Sequence, residues 1–302
     1  MTKRMAAAII FTLLISIFSQ SIFLRINDRP AITMAQSRKG ENIKDIVADF
    51  LPENMELSPF MMSKRAKSII YKDLDGDKEK EILFTFKSVK EDNTGGLIIL
   101  KKEKKEKEEW KEVLRDFGKG RLVCNIYYED IDGDNKDELL LGSFIGASEG
   151  NDLKVYKFNE DDFEFELIGE EGYHKILIRD MPDSEGKCDG KSEIAIWQRA
   201  TGDVYAIKVL RYGEERLVEA RDVYPYYFSR VVDYYKSELK KDYNKNNALM
   251  WYYLVDAQLK SNKPKEALNT IHEVKKNRPD GYDKMKKMFY KLEKQAISSF
   301  KL

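Results

Sequence analysis

Asp73-Leu74-Asp75-Gly76-Asp77-Lys78-Glu79-Lys80-Glu81-Ile82-Leu83-Phe84 and Asp130-Ile131-Asp132-Gly133-Asp134-Asn135-Lys136-Asp137-Glu138-Leu139-Leu140-Leu141 lie 57 residues apart and repeat one pattern. In each, carboxylates stand at positions 1, 3, 5 and 9 of a tight loop, a glycine at position 4 permits the sharp reversal, and an apolar strand follows at once. Carboxylates crowded in this way repel one another unless positive charge sits between them. The repeat therefore predicts a β architecture and a bound cation together.

Working outward, residues 52–221 are apolar runs of four to eight residues punctuated by Gly, Asn and Asp clusters, which read as strands. The first unit takes residues 68–71, 82–86, 97–100 and 110–114. The second takes 122–126, 139–141, 153–158 and 163–168. A third takes 176–178, 194–197, 204–210 and 216–218. Its loop is degenerate, with Glu185, Lys187, Asp189 and Glu193 at the corresponding positions and a lysine where a cation would be repelled. Residues 40–51 read as a short amphipathic helix, and the charged stretch 101–111 as a solvated hairpin. Four antiparallel strands per period predict blade-like units that bury their faces against their neighbours.

The chain has 302 residues, 42% of them hydrophobic, enough for one large or two medium domains. Its net charge of zero is a sum of unlike parts. Residues 36–223 carry 32 basic against 43 acidic side chains, and residues 224–302 carry 17 against 9. That asymmetry sets a domain boundary near Tyr224. The basic residues of the second part are spread over amphipathic helices without stacking motifs, so nucleic acid is not expected as a partner. Lys3 and Arg4 precede an uncharged run of 20 residues, 5–24, the length of a bilayer core. Residues 1–35 are thus read as a signal anchor and linker. That places a single-pass protein in the cell membrane with its C-terminal part outside, or secretes it if the segment is cleaved. Cys124 and Cys188 are expected to be two isolated buried thiols, although a disulfide is chemically allowed outside the cytoplasm.

The two acidic loops resemble the FG-GAP or VCBS-like repeat of bacterial and integrin-type proteins, whose signature is Asp-x-Asp/Asn-Gly-Asp-Gly-x-x-Asp/Glu before an apolar strand. The resemblance covers residues 50–220 and implies a β-propeller or partial propeller with structural calcium in the loops. The implied ligands are Asp73, Asp75, Asp77 and Glu81 in the first loop and Asp130, Asp132, Asp134 and Glu138 in the second, with a backbone carbonyl near position 7. Carboxylates, a carbonyl and water supply the six to eight oxygens that calcium takes. Both loops depart from the family at position 6, where Lys78 and Asn135 replace a second glycine; if the backbone is left-handed there, Asn135 adapts cheaply and Lys78 costs about 1–2 kcal/mol. An EF-hand is excluded because position 12 is Phe84 or Leu141 rather than Glu.

Residues 247–279 resemble one tetratricopeptide repeat, with Trp251, Leu254, Ala257, Ala267, Ile271, Val274 and Pro279 at or near its packing positions. Asn262 suits a left-handed cap, Pro264 a first helical turn, and Pro279 a stop. Amphipathic stretches at 226–242 and 282–300 would complete two helical hairpins.

Catalytic signals are weak. Gly146-Ala147-Ser148-Glu149-Gly150 fits G-x-S-x-G, but it is expected to join two strands rather than a strand and a helix. The fold expected is mainly β with a C-terminal α domain: a propeller-like stack of about three four-stranded blades (36–223), then a tetratricopeptide-like bundle (224–302). The expected role is a non-catalytic, membrane-anchored, calcium-binding module that binds or scaffolds at the bacterial cell envelope. Its partner would be a protein or glycan ligand, or a second copy of the chain. The alternatives are a carbohydrate-active hydrolase or lyase using the acidic residues, and an envelope sensor recruiting a partner through its helices.

Overall fold

Strands that are apolar on both faces must be covered on both sides, and the chain meets this requirement by layering. The computed structural model describes residues 42–60, 67–90, 94–104, 108–120 and 122–300. Within it, residues 43–302 form one compact unit. The first sheet holds β1 (Met55–Leu57), β2 (Ile69–Lys72), β3 (Glu81–Ser88), β4 (Gly95–Lys104) and β5 (Glu108–Phe117), with β1 and β2 both paired to β3. The second runs in order through β6 (Leu122–Glu129), β7 (Glu138–Gly146), β8 (Gly150–Asn159) and β9 (Glu164–Tyr173). The third runs through β10 (Lys175–Asp180), β11 (Ser192–Thr201), β12 (Val204–Gly213) and β13 (Arg216–Glu219). Every pairing is antiparallel.

Alternation along the strands assigns the faces. Helix α1 (Ile43–Phe50) sets Val47 against Ile82, Phe84, Phe86, Ile98 and Leu100 on the outer face of the first sheet. The opposite face, with Leu83, Leu97 and Ile99, packs on Leu139, Leu141, Tyr156 and Phe165 of the second sheet. The second sheet turns Leu140, Leu153, Val155 and Tyr173 towards Ile194, Ile196 and Leu210 of the third. The far face of the third, with Ala195, Tyr205, Ile207 and Val209, is covered by Tyr227, Phe228, Val231, Val232 and Tyr235 of helix α2 (Tyr224–Glu238) and Met250 and Leu254 of helix α4 (Ala248–Lys260). The three sheets are open, and no closed barrel or propeller is seen among the described residues.

The helical end follows its local sequence. A short helix, α3 (Asp242–Lys245), precedes α4, whose first turn is capped where Leu249 N–H donates to Asn247 Oδ1 at 3.0 Å. Asn262 takes φ 58°, Pro264 opens helix α5 (Pro264–Asn277), and Pro279 follows its end. Helix α6 (Tyr282–Ser298) lays Phe289, Leu292 and Ala296 on Val255, Ala267, Ile271 and Val274.

Two expectations are corrected. The single-pass membrane placement is contradicted, because no helix among the described residues is long and apolar enough to cross a membrane; the run 5–24 on which it rested lies outside the described residues. Of the two cysteines expected to be buried, Cys124 is buried but Cys188 is exposed, and both are free. Cys188 sits in the third, degenerate loop, between β10 and β11.

Phe84 is fully buried between α1 and the first sheet. Phe84→Ala should cost about 3–5 kcal/mol of stability, read as a lowered urea midpoint at unchanged slope.

Candidate cation site in the acidic loops

The two complete loops share one set of hydrogen bonds. Asp73 accepts Gly76 N–H at 2.8 Å on one oxygen and Lys78 N–H at 3.0 Å on the other. Asp130 does the same with Gly133 at 2.6 Å and Asn135 at 2.9 Å. Asp75 accepts Asp77 N–H and Asp77 accepts Glu79 N–H, as Asp132 accepts Asp134 N–H and Asp134 accepts Lys136 N–H. The buried glutamate at position 9 reaches back to position 2: Glu81 accepts Leu74 N–H at 2.7 Å, and Glu138 accepts Ile131 N–H at 2.9 Å. Position 6 is left-handed in both, with φ 71° at Lys78 and 66° at Asn135, which is the conformation the family's second glycine would favour.

Each loop brings together three of the four carboxylates expected from the sequence within 4.8 Å of one another: Asp73, Asp75 and Glu81, then Asp130, Asp132 and Glu138. Such a group suits a hard cation. Its focus, however, already holds an ammonium. Lys101 Nζ of β4 lies 2.7 Å from Asp75 Oδ2, 2.8 Å from Asp77 Oδ2 and 2.9 Å from Glu81 Oε1. Lys157 Nζ of β8 bonds Asp132, lies 3.0 Å from Asp134 Oδ2 and 3.6 Å from Glu138 Oε1. The carboxylate oxygens not facing the lysine accept backbone N–H groups, so calcium does not fit while the lysine is in place.

The electrostatics follow from burial and pairing. Burial opposes the charge on Lys101 and on Lys157, but the hydrogen bonds that each ammonium donates to the carboxylates around it outweigh this and hold both above the usual lysine range. Burial raises Glu81, partly countered by Lys101 and the Leu74 N–H. Glu138, farther from its lysine, is pushed by burial up to about 7, with repulsion from Asp132 adding to the shift and the Ile131 N–H opposing it.

The third loop keeps the frame with different residues. Glu193 accepts Met181 N–H at 2.8 Å, and Asp180 accepts the N–H of Gly190, which has φ 85°. Asp180, and not Glu185, therefore holds position 1, because residues inserted after Met181 shift the count. The cation is Arg211 of β12, whose Nη2 lies 2.8 Å from Glu193 and 2.9 Å from Asp222.

Sequence reasoning missed these three basic residues, and it placed Lys101 in a solvated hairpin although its side chain is only 5% exposed. Part of the signal was present: Lys101 and Arg211 directly follow the apolar runs 97–100 and 204–210, whereas Lys157 lies inside the run 153–158. Gly146–Gly150 does join two strands, β7 and β8. His174 there braces backbone rather than a serine hydroxyl, as Nδ1 accepts Arg199 N–H and Nε2 lies 3.1 Å from the Ser148 carbonyl. No protein-family model matches the sequence, and comparison with curated proteins returns no match.

The left-handed position 6 gives a direct test. Lys78→Gly should raise stability by about 0.5–1 kcal/mol, and Asn135→Gly by less, in paired urea denaturation curves.

Proposed function

We propose that this chain is a non-catalytic binding module. In this reading its three sheets are blade units of an FG-GAP or VCBS-like repeat in a propeller-like stack, ended by a tetratricopeptide-like bundle, and it engages a basic protein segment at its acidic rim. The observation that carries the reading is a cleft of about 470 Å³ where both complete acidic loops meet the β8–β9 and β12–β13 hairpins. Asp134, Asp137, Glu160, Glu166 and Glu215 line it against two lysines, Lys136 and Lys157, while Leu167, half exposed, and Tyr212 give it an apolar wall. An electronegative groove with an apolar anchor point favours a lysine- or arginine-rich segment carrying a hydrophobic side chain, and it disfavours an acidic one.

The carboxylates of the loops support a binding role over a chemical one, since their oxygens are engaged with backbone N–H groups and basic side chains. A general acid or base needs an oxygen presented to a substrate.

Fluorescence anisotropy with a labelled Lys/Arg-rich peptide carrying one leucine tests the proposal. Glu160, Glu166 and Glu215 are exposed and make none of the backbone hydrogen bonds that build the loops, so the triple charge reversal to lysine should leave the fold intact. Binding should weaken by about tenfold or more in that variant and fall steeply with salt. Equal binding of a Glu-rich peptide, or no effect of the triple variant, would refute it.

A further inference from the structure

The same juxtaposition occurs three times. Ile82 faces Leu100, Leu139 faces Tyr156, and Ile194 faces Leu210 across their strand pairs. The next residue outward on each strand is therefore a buried glutamate on one side and a basic residue on the other: Glu81 with Lys101, Glu138 with Lys157, Glu193 with Arg211. The third loop is longer than the other two and differs from them in the identity of its acidic residues, yet the cross-strand pair stays in register. We infer that Lys101, Lys157 and Arg211 are the resident cations of the three loops, so that the chain neutralises its acidic turns with its own side chains rather than with calcium.

Three features carry the assignment. The Lys101 ammonium has three N–H groups and meets three carboxylate oxygens at 2.7–2.9 Å, which satisfies every donor. The second oxygens of Asp75, Asp77 and Glu81 accept backbone N–H groups, so this loop is satisfied on both sides. A tethered cation also competes from an effective concentration of about millimolar or above, with no translational freedom to lose on binding, whereas a dissolved ion must displace it. In the third copy the planar guanidinium of Arg211 spans Glu193 and Asp222, and a carboxylate from the turn before α2 takes the role that a loop aspartate plays in the other two.

Thermal unfolding of the full chain in chelator and in millimolar calcium decides the matter, comparing the native protein with Lys101→Met and Lys157→Met. Methionine keeps the length of the side chain and removes its charge. The native protein should unfold within about 1 °C of the same temperature in both conditions. Each variant should be less stable in chelator and recover by about 5–10 °C in calcium, because the converging oxygens are then free to take a metal. If Lys101→Met does not fold, Lys157→Met gives the same reading, since its side chain is 28% exposed. A native protein that itself gains about 5–10 °C in calcium overturns the inference. So do variants as stable as the native protein, and so do variants that lose stability without any response to calcium, which would mark a packing defect alone.

Discussion

A carboxylate placed in the interior at the head of each second strand is the constraint on which the β body depends. Glu81, Glu138 and Glu193 are each no more than 2% exposed. An isolated buried charge costs several kcal/mol, so each must be both paired and hydrogen-bonded. The chain does this with one backbone N–H from the loop and one cation from the third strand. The loop, the second strand and the third strand are thereby held at one point. Strand register follows from that point, and the side-chain period of two then sends one set of apolar residues to each face.

The layers inherit this order. Because every sheet is apolar on both sides, none is stable by itself, and the two ends of the array need different covers. A single amphipathic helix suffices at the first sheet. The third sheet carries Trp197 and Tyr205, which are bulkier and partly polar, and there α2 supplies tyrosines. Tyr227 Oη accepts the Trp197 indole N–H at 2.6 Å, and Tyr234 donates to the Asp203 carbonyl at 2.6 Å. Lys175 stands over the rings of Trp197, Tyr205 and Tyr234. The helices are therefore fitted to this sheet by polar contacts as well as by apolar area.

What could be read from the sequence was local. The strands, the acidic turns, the left-handed position 6, the Asn262 cap and the Pro264 helix start all depend on residues within a few positions of one another. What could not be read depends on register or on long-range order. Lys101 and Lys157 stand about twenty residues beyond the carboxylates they neutralise, and only the pairing of β3 with β4 and of β7 with β8 brings them in. Asp180 was overlooked as the first residue of the third loop because an insertion breaks the spacing that motif reading relies on. Crowded carboxylates announce a cation without saying whether it comes from solution or from the chain. The carboxylate content likewise gave no hint that a groove would form between two loops and two hairpins drawn from all three sheets.

Each sheet is built from strands consecutive in the chain, and each layer touches mainly the one before and the one after it. Such an array is close to one-dimensional in its energetics. Within each sheet strands pair mainly with their neighbours in sequence, which favours rapid formation of the individual hairpins. Their coalescence is the slower event, since a lone sheet exposes two oily faces until a neighbour arrives. The flanking helices then act as covers: by masking the outer faces of the first and third sheets they deny an incoming chain a surface on which to continue the array.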